Sequence, residues 1–289
     1  MKIQSLALMT GLTLAVTATA QPEKAAAINL VFNNPVQANN TSNVGGFGQP
    51  GVTGTLLEYR NVAPGIDARV TAAVSGTSYN FAGHIPNYTS AGNSNGDDGF
   101  VYQATQAGSG IMTYKFDFYQ TDGTTHSFST LATPFDFSLL VYDIDGEATQ
   151  SEALRVSKRI GSSGLGSYQI GNSSTASLTV TESATNYLFS GRGINVAETS
   201  VNGDVILNFL QSNSTTLQFE STTAPNSTFP NGVFSGIDGD LSILPRTTGT
   251  FAAKVTASQQ VPEPFTIIGT IVGGTTALRM RKKLKSTAD

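Results

Sequence analysis

In VYDIDGEATQSEALRV, residues 141–156, four carboxylates fall within ten positions: Asp143, Asp145, Glu147 and Glu152. Oxygen ligands grouped where an apolar strand ends are what calcium takes, and a bound calcium braces loops. The spacing is not that of a twelve-residue EF-hand loop, because Gly146 falls where a non-glycine belongs and the last ligand position is empty. Two readings stand: calcium held by these four acids, or a strand-turn-strand whose aspartates accept hydrogen bonds from turn amides. Asp238 and Asp240 in GIDGDLSIL (236–244) repeat the pattern in weaker form, and NSNGDDG (93–99) more weakly still.

Other chemistry finds little support. The two histidines, His84 and His126, are far apart and sit beside turn-like sequence, so both are expected at the surface, and no HExxH or paired spacing suggests zinc. GFGQPG (46–51) fits GxGxxG formally, yet it contains Pro50, follows no clear strand and opens no helix, so it reads as a loop. No GxSxG stretch occurs. With no cysteine there are no disulfides, thiolate metal sites or cysteine nucleophiles. A pair of carboxylates facing each other across a groove would suit glycoside hydrolysis, but nothing singles out a pair. No catalytic residue is assigned, and calcium is the one cofactor considered.

The elements that would position these groups read as strands. Met112, Tyr114, Phe116 and Phe118 alternate with Thr113, Lys115 and Asp117, the period-2 pattern of a strand with one buried face. Ile66 to Val74, Phe135 to Val141, Val205 to Phe209 and Leu217 to Phe219 repeat it. On that alternation Asp143 and Asp145 would face the same way as Phe137, Leu139 and Val141. Clusters such as TSAGNSNGDDG (89–99), GSSGLGS (161–167), GNSSTAS (171–177) and QSNSTT (211–216) are turn-rich and read as loops. The expected fold is all-β, an antiparallel two-sheet sandwich of jelly-roll type.

Charge narrows the partners. Five of the sixteen Lys and Arg lie at the C-terminal end, as Arg279, Arg281, Lys282, Lys283 and Lys285. Between Gln21 and Gln260 there are ten basic and eighteen acidic residues, a balance of −8. A body of that sign repels phosphate backbones, so no nucleic-acid partner is expected.

The two ends carry the clearest signals. Lys2, the apolar stretch Leu6 to Val16, and Ala18-Thr19-Ala20 before Gln21 have the three parts of a cleavable secretory signal, residues 1–20. A short leader would follow to about Ala26, within a β-sandwich body of residues 21–260. The chain ends with Val261-Pro262-Glu263-Pro264, an apolar run from Phe265 to Leu278, and the basic cluster. The run has fourteen residues, and at ~1.5 Å per residue it falls short of a bilayer core unless counting starts at Val261. The basic cluster then serves as a cytoplasmic stop. Proline on both sides of Glu263 holds an extended backbone that a protease can grip.

This arrangement resembles the PEP-CTERM sorting signal of exported proteins of Gram-negative bacteria and cyanobacteria, over residues 261–285. Phe265 stands where that signal often has serine or threonine. The resemblance implies transit through the inner membrane on a transmembrane helix and recognition by exosortase, a membrane protease or transpeptidase, in bacteria that make exopolysaccharide or biofilm matrix. YRNVAPGIDARVTAAV (59–74), YKFDFY (114–119), LLVYDIDGEATQSEALRV (139–156) and FSGIDGDLSIL (234–244) are similar, in order, to exported β-sandwich domains that precede such tails. That likeness implies a fold and a location and adds no activity. The expectation is a non-enzymatic cell-surface or matrix protein, structural or adhesive, whose Asn-, Ser-, Thr- and Gly-rich loops could bond exopolysaccharide hydroxyls. A secreted carboxylate-dependent glycan hydrolase and a surface-layer or filament subunit remain the alternatives.

Overall fold

The computed structural model describes residues 27–32, 35–37, 55–76, 79–88, 97–123, 126–197, 200–227, 231–241 and 249–260. The signal peptide, the sorting motif, the basic stop and the two flanking helices expected with them lie outside the described residues. Among those that are described, no helix is long and apolar enough to cross a membrane.

The strands, numbered along the chain, are β1 (Pro35–Gln37), β2 (Thr55–Ala63), β3 (Ile66–Ser75), β4 (Tyr79–Tyr88), β5 (Asp97–Ala104), β6 (Gly108–Gln120), β7 (Phe135–Tyr142) and β8 (Gln150–Ser157). They continue as β9 (Gly164–Ile170), β10 (Thr179–Glu182), β11 (Asn186–Ser190), β12 (Val205–Ser212), β13 (Ser214–Thr223), β14 (Asn231–Asp238) and β15 (Val255–Thr256). They form two antiparallel sheets, ordered β1-β2-β3-β6-β13-β8-β11-β10 and β15-β9-β12-β7-β14-β5-β4. The fold is the expected all-β sandwich. Strands β7, β8 and β9, and again β12, β13 and β14, pass alternately between the sheets in a jelly-roll-like exchange.

The alternation in β6 sends Met112, Tyr114, Phe116 and Phe118 into the core and leaves Lys115 outside. Register places Ala68, Val70 and Ala72 of β3 on one side of that row, and Leu217 and Phe219 of β13 on the other. Small residues stand beside large ones there, so the layer interdigitates. The sheets meet through rings: Phe118 lies edge-on to Phe137 at 4.9 Å, and Phe137 stacks on Phe209 at 4.9 Å.

Three expectations about local structure are corrected. Residues 97–99, 164–167, 211–212 and 214–216, read as loop, are strand, and β12 passes to β13 of the other sheet through Asn213 alone, with Gln211 at φ 44°. The alternation of β7 stops at Tyr142, because Asp143 takes φ 64° and leaves the pleat. Strand β7 is also buried on both faces. Its outward Leu140 and Tyr142 join Ile206 in a second apolar cluster, on which Leu241 and Phe251 pack.

Both ends of the described chain are stitched to the sandwich. The Ile28 amide donates to the Asp136 carbonyl (2.8 Å) and the Leu30 amide to the Gly239 carbonyl (2.9 Å), while the Val31 amide donates to the Val62 carbonyl (2.8 Å) of the other sheet. Leu30 and Phe32 are thereby driven into the core. Residues 249–260 run along the β9 edge: the amides of Ala252, Ala257 and Gln260 donate to the carbonyls of Ile170, Gly166 and Arg159 at 2.8–3.0 Å. A sheet edge that would offer free backbone groups is covered in this way.

Candidate functional site

The acidic stretch carries the chain from β7 to β8 in the other sheet through a turn wedged against neighbouring loops. Gly146, at φ 75°, turns the chain so closely that a Cβ there would lie 2.5 Å from the Gln150 carbonyl oxygen. Glu147 and Gln150 exchange backbone hydrogen bonds across the turn. Gly191 approaches from the side, where a Cβ would come within 2.1 Å of the Asp145 carbonyl oxygen. The carboxylates are engaged one by one. Asp145 Oδ2 accepts from the Val196 amide (2.5 Å), Glu147 Oε1 from the Thr149 hydroxyl (3.1 Å), and Glu152 Oε1 from Gln150 Nε2 (2.9 Å). The Asp143 amide donates to Asp204 Oδ1 (3.4 Å).

The carboxylates of Asp145, Glu147 and Glu152 therefore point at separate donors. Among the described residues no group of three or more Asp, Glu or His side chains is arranged to hold a metal ion. Of the two readings offered for Asp143, Asp145, Glu147 and Glu152, calcium or acids that accept from the turn, the contacts seen at Asp145, Glu147 and Glu152 are of the second kind. At the second acidic stretch, Asp238 Oδ1 likewise accepts from the Asp240 amide (2.7 Å).

Glu152 stands apart electrostatically. It is 8% exposed, and its Oε2 is buried with no close hydrogen-bond partner among the described residues. Burial first, then the charges of Asp145 and Asp143, push its carboxyl well above the ordinary carboxylate range. Burial also raises Asp145, against the opposing pull of the Val196 amide. Neighbouring carboxyls with raised values are a hydrolase signature. Here, however, the raised group is buried beneath the turn.

A second polar cluster, unforeseen in the sequence, is Asp67 with His126. Asp67 is fully buried; its Oδ1 accepts from the Asn61 amide (2.8 Å) and its Oδ2 lies 2.8 Å from His126 Nδ1. Asn61 has φ 53° within the irregular part of β2, so one carboxylate holds that bulge and the loop after β6 together. The expectation of a surface residue is corrected for His126, whose side chain is 11% exposed. His84 lies in β4. Replacing His126 by alanine leaves Asp67 Oδ2 without that partner and should cost about 1–2 kcal/mol, read as a lower denaturation midpoint at unchanged m-value.

The third cluster is a cleft on the outside of the seven-stranded sheet. Register aligns Ser138, Asn208, Ser167 and Thr256 across β7, β12, β9 and β15. The Ser138 hydroxyl donates to Asn208 Oδ1 (2.9 Å), fixing that amide. Beside this row opens a cleft of about 500 Å³, whose polar lining comprises Asn208, Ser167, Thr256, Asp136, Arg159 and Lys254. Asp136 Oδ1 accepts from the Gln211 amide (2.9 Å) and from Gln211 Nε2 (3.1 Å). Arg159 is clamped from behind by Gly164, where a Cβ would come within 2.8 Å of the Arg159 Cα. Its Nε is buried and has no acceptor among the described residues. The only trace of this site in the sequence is polar Ser138 and Asn208 interrupting apolar strands.

No protein-family model and no curated protein matches the chain. Two solved structures share part of its course. The N-terminal domain of the Streptococcus gordonii adhesin Sgo0707 aligns with 74% of this chain and 62% of its own, at 14% identity and TM-score 0.46. The adhesin domain of PrgB from Enterococcus faecalis aligns with 68% of this chain and 66% of its own, at 11% identity and TM-score 0.39. The chain thus spans less than two thirds of either of those structures.

Proposed function

We propose that this protein is an exported, non-enzymatic β-sandwich displayed at the cell surface or in the extracellular matrix, where it binds exopolysaccharide. The observation that carries the reading is the cleft on the outer sheet face, where hydroxyl and amide groups of three adjacent strands line a single opening. Side chains mounted on paired strands are held rigidly, and hydroxyl and amide groups in register suit a ligand made of hydroxyls. The stitched edge at residues 249–260 supports the same reading, since a pull on the chain beyond Gln260 along the β9 direction loads several backbone hydrogen bonds at once.

Delivery belongs to the ends of the chain. The secretory signal at residues 1–20 sends the chain across the inner membrane, and exosortase acts at Val261-Pro262-Glu263-Pro264 while the apolar run and basic stop hold it there. The intact mass of the protein recovered from its host tests this step. A mass ending within 261–264 supports exosortase processing; a mass running to Asp289 makes the tail a permanent anchor.

Binding is tested by titrating the purified chain with matrix polysaccharide from a strain that produces it. Saturable binding at or below millimolar sugar is expected. Absence of binding at that concentration removes the adhesive reading. Turnover of any glycan that stops in a Glu152→Gln variant would make the protein a hydrolase instead.

A further inference from the structure

We propose that the cleft bounded by Arg159 and Lys254 is a subsite for one carboxylate-bearing sugar, a hexuronate unit of an acidic polysaccharide. This rests on the polysaccharide-binding reading above and names its ligand class. The argument starts from charge. The body carries ten basic against eighteen acidic residues, yet two of those ten line this cleft with, among the described residues, a single carboxylate, Asp136. One surplus positive charge matches one carboxylate. A doubly charged phosphate would leave negative charge facing Asp136, which repels it.

Donor geometry points the same way. The Arg159 Nε–H is buried with no acceptor among the described residues, a state that favours any acceptor able to reach it. A planar carboxylate accepts two parallel hydrogen bonds from a guanidinium, and that fork is the stronger kind of contact. Lys254 is exposed and forms no ion pair with a described acid, so it adds a second, screened attraction. Asp136 keeps an orientation fixed by Gln211 and can accept from a sugar hydroxyl; Asn208, Ser167 and Thr256 offer both donors and acceptors. The volume, about 500 Å³, falls within the range of small-ligand clefts.

The test is calorimetric titration of the full-length chain with trigalacturonate and with its methyl ester, at low salt. The acid should bind roughly tenfold or more tightly than the ester, as expected for charge-assisted hydrogen bonds. Arg159→Gln should remove most of that preference. Lys254→Gln, at an exposed position that leaves the fold untouched, should weaken the acid about two- to threefold and flatten its salt dependence. Equal affinity for acid and ester, or an acid affinity unchanged in both variants, overturns the proposal. Inorganic phosphate competing as well as the uronate would overturn the sugar assignment and leave a plain anion site. If the double variant still binds matrix polysaccharide as the wild type does, this subsite falls and the broader reading stands; if the wild type binds no glycan, both fall.

Discussion

Replacing Phe137 by alanine should lower the free energy of unfolding by about 3–5 kcal/mol, the range for deleting a fully buried phenyl ring. Phe137 has no solvent exposure and touches both layers: Phe118 from the eight-stranded sheet at 4.9 Å, and Phe209 and Phe135 from its own side at 4.9 and 5.3 Å. The cost combines lost apolar burial with a cavity that rigid strands on both sides cannot close. At roughly 2–4 °C per kcal/mol for a chain of this size, Tm should fall by about 10 °C. Ile160→Ala, at a side chain 70% exposed, should change stability by less than about 0.5 kcal/mol and serves as the control. A loss below about 1 kcal/mol for Phe137→Ala would mean that the sheets do not meet through this ring cluster.

Glu152→Gln should make the protein more stable at neutral and alkaline pH and should flatten its stability profile. The carboxyl is raised in the folded state by burial and then by Asp145 and Asp143. Between the ordinary carboxylate value and the raised one, the folded chain holds a proton that the unfolded chain has released. Stability therefore falls as pH rises through that window, by up to about 1.4 kcal/mol per pH unit for one group. Asp145, also raised, adds a contribution of the same sign. Glutamine keeps the oxygen that accepts from Gln150 and carries no charge to bury, so the slope due to position 152 should vanish. Thermal melts of both proteins from pH 4 to 8 decide it, and identical slopes would refute the assignment. Millimolar calcium provides a second check. A calcium-dependent rise in the wild-type Tm that Glu152→Gln abolishes would show that this carboxyl is a ligand.

Much of this architecture was legible because side-chain period and burial are local properties. The alternating residues of β6 and β3 face the core as their pattern requires, since a one-residue slip would turn every ring in them toward water. The errors came where backbone sterics departed from the pattern. Asp143 looked like a continuation of β7, but its φ of 64° ends the pleat, and the acids beyond it scatter toward separate donors. Residues 164–167 looked like loop for their glycines and serines, yet Gly164 and Gly166 are there because Arg159 and Leu210 press against the strand.

The sites were less legible, and the reason is separation along the chain. Asp67 occupies an outward position of β3 and reads as solvent-facing, until the loop after β6 covers it and brings His126, 59 residues away, to its carboxylate. Arg159, Asp136 and Lys254 share a cleft only because β15 returns to the β9 edge and β12 lies between β9 and β7. The sequence by itself determined the all-β class, the inward rows of the strands and the acidic body, because composition and period act locally. Only the tertiary structure decided which polar residues meet, which strand is buried on both faces and which carboxyl is raised, because these depend on register and on segments far apart in the chain that fold over one another.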